Sequence, residues 1–185
     1  VVTHVPGDFL MPETGVNLRW PDTPQAQEVR LHQFKLPAVT AFTRHNRIDR
    51  QVLGDPVAPL GIISTGKSYL DVRRALLDLG IDEIRAKALG MKLYKVGMPW
   101  PLEPDGLKDF AKGTRKLIIV EEKRGLMEEQ VRNLLYGVTD PPEVIGKTDE
   151  TGAVLFQVYG RLDAAQIATA IGDRLVDLTH DDTLI

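Results

Sequence analysis

The segment Leu60-Gly61-Ile62-Ile63-Ser64-Thr65-Gly66-Lys67-Ser68 decides how the rest of the chain is read. As a text pattern it satisfies G-x-x-x-x-G-K-S, the loop that cradles nucleotide phosphates on backbone N–H groups. As a structural element it reads differently. A phosphate loop follows a full apolar strand, and here only Val57-Ala58-Pro59-Leu60 precedes Gly61. Ile62 and Ile63 are the apolar run itself, so Leu60 to Ser64 is expected to be a buried parallel strand. A P-loop ATPase is therefore disfavoured. Ser68, with Asp71 three residues on, is expected to cap a helix with Tyr69, Val72, Leu76 and Leu79 inward and Gly80 as its stop.

The same grammar extends downstream. Lys92 to Val96 and Lys116 to Val120 read as further strands, Glu143 to Ile145 as a fourth and Val154 to Val158 as a fifth. Helices are expected after Asp82, over 104–112, over 125–136 with Leu126, Val131, Leu134 and Leu135 inward, and after Asp163. Strands alternating with helices imply an α/β fold with a mostly parallel sheet covered on both faces. Upstream, residues 1–24 read as a Pro- and Gly-containing linker. Residues 24–48 read as a helix that Pro37 should kink near Phe34 to Leu36. The expected division is 1–58 for the linker and helical segment and 59–185 for the α/β domain.

Composition excludes several functions. The 185 residues carry a net charge of -3 and no Cys, so thiolate zinc sites, disulfides and Cys-ligated clusters cannot be built from this chain. No basic stripe points to nucleic acid. No apolar run reaches the ~20 residues of a membrane span, and no signal peptide is visible. His4, His32, His45 and His180 are scattered without metal-ligand spacing. Opening at Val1 rather than Met, the sequence reads as part of a longer chain.

Ligands of open α/β sheets gather at the carboxyl ends of the strands. Three such loops are expected to share one rim: Thr65-Gly66-Lys67-Ser68, then Gly97-Met98-Pro99-Trp100-Pro101, then Glu121-Glu122-Lys123-Arg124. The candidate contact or anion-binding residues are Thr65, Gly66, Lys67, Ser68, Met98, Trp100, Glu122, Lys123 and Arg124. Trp100 between two prolines reads either as a packed indole in a rigid turn or as a ligand platform. Glu121 and Glu122 point to opposite faces if the strand continues, which disfavours a paired-carboxylate acid/base site. No catalytic set is recognisable.

Three long strings carry a resemblance. Leu60 to Arg73, Leu93 to Pro104 and Val120 to Arg124 resemble segments of the indolepyruvate:ferredoxin oxidoreductases, within the 2-oxoacid:ferredoxin oxidoreductase family. Asn17 to Pro24 resembles that family's linker. The resemblance implies a transketolase C-terminal-like domain, a three-layer α/β/α sandwich with a mixed sheet of five strands, one edge strand being antiparallel. It implies a cytoplasmic parent enzyme that oxidatively decarboxylates aryl 2-oxo acids to acyl-CoA and passes electrons to ferredoxin. That parent would use thiamine diphosphate, magnesium and iron–sulfur clusters. The thiamine signature and the Cys-rich motifs do not occur here. The chain is thus expected to be a structural and interface domain, holding none of those cofactors, inactive alone, and in contact with other domains and protomers of the parent. The alternative is a module that binds an anion, such as a phosphate of coenzyme A or of a nucleotide, at Lys67 and Ser68.

Overall fold

The computed structural model describes residues 2–17 and 19–179. Leu18 of the linker string and His180 lie outside the described residues. Two helices open the fold, α1 (Pro24–Arg30) and α2 (Leu36–His45). Between them Leu31–Lys35 forms a π-helical turn, so the break caused by Pro37 falls where its missing N–H and bulky ring demand it. Thereafter come β1 (Arg50–Leu53), β2 (Leu60–Thr65), α3 (Gly66–Asp78) and α4 (Glu83–Ala88). They are followed by β3 (Met91–Val96), α5 (Pro104–Ala111), β4 (Lys116–Val120), α6 (Leu126–Leu135), β5 (Glu143–Ile145) and α7 (Ala164–Thr179).

The five strands lie in the order β1-β3-β2-β4-β5. β2 pairs in parallel with both β3 and β4, β5 extends the sheet in parallel from β4, and β1 closes the other edge antiparallel to β3. Alternate residues feed opposite layers, as strand geometry requires. Leu60, Ile62, Leu93, Ile118 and Val120 pack beneath α3, α4 and α7. Ile63, Tyr94, Val96, Leu117 and Ile119 pack beneath α5 and α6. The result is the expected three-layer α/β/α arrangement with a mixed, mostly parallel sheet.

Three expectations need correction. The fifth strand is β1, not Val154 to Val158. The latter segment makes only an isolated bridge between Thr148 and Val154; Phe156 is buried in the core and the half-buried Leu155 packs against it. β1 precedes residue 59, so the sheet draws on residues ahead of Leu60. Helix α3 begins at Gly66, not Ser68: β2 runs on to Thr65, and Gly66 turns the chain at φ +52°, a conformation that favours glycine. Ser68 is therefore inside the first turn, and Asp71 reaches back to Lys67 rather than closing a capping box. Leu126 is not inward either. It is half exposed, and Met127 takes the buried place on α6.

Candidate functional site

The loops after β2 and β4, with Pro99 from the loop after β3, enclose an open groove of about 720 Å³. Parallel pairing of β2 with β3 and β4 brings these carboxyl ends to one rim, as the sequence requires. Thr65, Gly66, Lys67, Ser68, Glu122, Lys123 and Arg124 all line the groove. Met98 and Trp100 do not. Met98 is drawn toward α2, where the Thr43 hydroxyl lies 3.2 Å from its sulfur and its N–H donates to Asp49 at 3.0 Å. Trp100 is 56% exposed, more than a packed indole would be.

The phosphate-loop pattern does not form a loop. Gly61, Ile62 and Ile63 sit in β2, paired on both sides, so their backbone groups belong to the ladder. Gly61 is glycine for packing: a Cβ there would lie 2.6 Å from the Leu117 side chain and 3.1 Å from the Phe110 ring. Ser64 and Thr65 donate their hydroxyls across the sheet to the carbonyls of Val120 and Val96.

Most charges in the groove are already engaged. Lys67 Nζ lies 2.5 Å from Asp71 Oδ2 and 3.1 Å from Glu122 Oε1, and these carboxylates hold the Lys67 ammonium above its usual pKa. In return, the hydrogen bond from Lys67 keeps the Glu122 carboxyl below the usual range. Lys123, at φ +60°, donates to the Gly160 carbonyl. Glu121 and Glu122 diverge, although β4 ends at Val120 and strand alternation is not the cause. Glu121 turns inward and accepts from the N–H groups of Met127 and Glu128, at 2.9 Å each at best, capping α6. Burial pushes the Glu121 carboxyl up in pKa, partly offset by those N–H donors. Sequence reasoning missed this cap, although an acid at a strand end followed by a helix is the signal that could have revealed it.

Behind it, Lys147 donates to the Glu121 carbonyl at 2.5 Å, and its own N–H donates to Glu128 at 2.7 Å. Helix α3 differs. Thr65 spends its side chain on Val96, so no side chain caps that N-terminus. Ser68 is 4% exposed, lines the groove, and its hydroxyl has no hydrogen-bond partner. Among the described residues no cluster of His, Cys, Asp and Glu could hold a metal, and no helix is long and apolar enough to cross a membrane.

Fold and groove together define an α/β domain whose strand-end rim is open and largely neutralised from within. The model of the family described as indolepyruvate oxidoreductase domain matches residues 50–185, and the chain belongs to that family. The chain is similar to the indolepyruvate oxidoreductase subunit IorA of Pyrococcus abyssi, at 31% identity over 131 residues, covering 70% of this chain and 19% of the relative. It is also similar to the IorA subunit of Pyrococcus horikoshii, at 36% over 94 residues, covering 51% and 13%. The chain thus spans about a fifth or less of the length of these curated relatives. Among solved structures it is similar to a 2-oxoglutarate:ferredoxin oxidoreductase from Magnetococcus marinus with 2-oxoglutarate, coenzyme A and succinyl-CoA bound. There the TM-score is 0.46 and the identity 15%, over 89% of this chain and 25% of that one. A split-gene transketolase, an inactive β4 tetramer, gives a TM-score of 0.45 and 18% identity over 66% and 39%.

Proposed function

We propose that this chain is the non-catalytic interface domain of a thiamine-diphosphate-dependent 2-oxoacid:ferredoxin oxidoreductase of the indolepyruvate type. In that reading the α/β domain occupies 59–185 with β1 recruited from the preceding segment. The parent enzyme would hold thiamine diphosphate, magnesium and iron–sulfur clusters in its other parts and act on aryl 2-oxo acids with coenzyme A and ferredoxin. The observation that carries the interface role is the rim. An open groove whose lysines are tied to the chain's own oxygens is lined by the half-exposed Leu126, and the exposed Trp100 follows the lining Pro99 in sequence, at 49% and 56% exposure. Exposed apolar groups beside a neutralised cleft suit a contact with another domain better than proton or phosphate chemistry.

The test places Trp100→Glu with Leu126→Glu in the intact parent subunit. Assembly and 2-oxo acid oxidation are expected to fall together, while the isolated chain keeps its melting temperature. Reduction of an electron acceptor by the isolated chain with a 2-oxo acid would contradict the reading.

A second reading is favoured by one observation, the uncapped N-terminus of α3 beside the unpartnered Ser68 hydroxyl. It makes the groove an anion site for a phosphate of coenzyme A or of a nucleotide. The engagement of Lys67 by two carboxylates weighs against it. A melting shift with coenzyme A or Mg-ATP that disappears in Ser68→Ala would favour this reading, and no shift with either would dismiss it.

A further inference from the structure

A second cavity, of about 380 Å³, lies at the β1 edge between α2, α5 and the face of β3. It shares no residue with the groove. Its walls include the arginines Arg44, Arg47 and Arg50 and the carboxylates Asp49, Glu103 and Asp109, with Tyr94 and Phe110 below, their rings 4.9 Å apart. The charges look balanced until their commitments are followed.

Each carboxylate is already satisfied. Glu103 accepts from Arg44 at 2.5 Å and from the N–H groups of Asp105 and Gly106 at 3.0 and 2.7 Å, capping α5. Asp49 accepts from the N–H groups of Gly97 and Met98 at 2.7 and 3.0 Å. Asp109 is paired with Lys112 at 2.6 Å. Arg44 is bound to both Glu103 and Asp105.

The uncommitted charged and hydroxyl groups are donors. Arg47 has no side-chain partner, and Arg50 gives one N–H to the Arg47 carbonyl at 3.2 Å and no more. Tyr94 is 4% exposed, lines the cavity, and its hydroxyl makes no hydrogen bond within the chain. Burial, with the carboxylates of Asp49, Glu103 and Asp109 around it, pushes the Tyr94 phenol well above its usual pKa, so it remains a donor at every ordinary pH. Arg47 is held at φ +49°, a backbone conformation that favours glycine, yet the position carries an arginine that lines the cavity.

We propose that the β1-edge cavity is a binding site for a small oxyanion, a phosphate or carboxylate group held by the Arg47 and Arg50 guanidiniums with the Tyr94 hydroxyl donating from the floor. Two planar guanidiniums and a phenol complement an acceptor-only group. The site does not rest on the proposed role of the groove.

The test is isothermal titration of the 185-residue chain with inorganic phosphate and, separately, with succinate, each against chloride at matched ionic strength. Saturable one-to-one binding of at least one oxyanion is expected, and whichever binds tighter sets the chemical class. Arg47→Gln and Arg50→Gln are each expected to weaken it roughly tenfold or more, the size of a lost charge-assisted hydrogen bond. Tyr94→Phe is expected to weaken it several-fold while leaving the melting temperature unchanged, because the hydroxyl has no partner to lose in the empty site. Arg47→Gly should raise the melting temperature and still lose binding, which separates recognition from folding. No saturable binding of either anion, or binding that survives both arginine substitutions, would overturn the assignment. So would binding that is lost in Ser68→Ala and kept in Tyr94→Phe, which would move the anion to the groove.

Discussion

Helices α3 and α6 start side by side at the same rim, each after a central parallel strand, and their N-termini are treated in opposite ways. The N–H groups of α6 are consumed by Glu121, a carboxylate of the chain itself, buried and raised in pKa by that burial. The N-terminus of α3 has no side-chain cap, and the hydroxyl of the groove-lining Ser68 in its first turn makes no hydrogen bond within the chain. The difference comes from one residue at each strand end. After β4 the chain continues into an acid that can swing beneath the helix; after β2, Thr65 turns its hydroxyl to the Val96 carbonyl and Gly66 leaves nothing to cap with. An acid built into a helix start is a structural device, whereas an open start is available to something outside the domain.

The largest expected effect tests the closed side. Glu121→Ala should destabilise the chain by about 2–4 kcal/mol in urea unfolding, because it strands the N–H groups of Met127 and Glu128 in a buried place. Glu121→Gln should cost less, since an amide oxygen can still accept. A loss below about 0.5 kcal/mol for Glu121→Ala would break the contrast between the two helices.

A buried cation sharpens the contrast. Lys92 is fully buried at the opposite end of the sheet and donates to the carbonyls of Pro56 and Lys112, at 2.7 and 3.2 Å, with no carboxylate. Burial lowers its pKa to about 8. Between that value and the ordinary lysine value the unfolded chain binds the proton more than the folded chain does. Stability should therefore rise with pH across that window, on the order of 2 kcal/mol. Lys92→Met should flatten the rise. A pH profile between 8 and 10.5 that is identical in wild type and Lys92→Met would contradict the assignment.

The smallest effects belong to the open side. Lys67→Ala removes exposed, solvent-screened ion pairs and is expected to leave the urea midpoint within error of wild type. Ser68→Ala removes a hydroxyl with nothing to lose, and its unfolding free energy should match wild type within about 0.5 kcal/mol. A cost above about 1 kcal/mol for Ser68→Ala would mean that its hydroxyl has a structural partner, and the open reading of α3 would fail.

The sequence carried the central elements because their periods are unambiguous. β2, β3 and β4 are short apolar runs buried on both faces, and Asp163 caps α7 through the Gln166 N–H at 2.9 Å, as its spacing foretells. β1 was not legible. Arg50 to Leu53 is short, half polar and flanked by Gly54 and Pro56, and only its pairing with a strand far along the chain makes it a strand. Val154 to Val158 misled for the converse reason: its apolar residues look like a strand, yet Val154 and Val158 are exposed while the adjacent Leu155 and Phe156 both pack on the core, which breaks a strand's alternation.

At the site, the meeting of the first and third loops followed from parallel neighbours. The detachment of Met98 did not, because it depends on Asp49 and Thr43 reaching in from the N-terminal segment. The β1-edge cavity was invisible for the same reason. Its guanidiniums come from the turn after α2 and from β1, and its floor comes from β3.

The central claim, that the groove is a surface for another part of a larger oxidoreductase, is tested most directly by amide hydrogen exchange. Residues 65–70 and 121–130 would be followed in the isolated chain and in the intact parent subunit, with residues 83–88 of α4 as an internal reference. The account predicts that exchange at the groove segments slows in the intact subunit while α4 is unchanged. Equal exchange of the groove segments in both would contradict it.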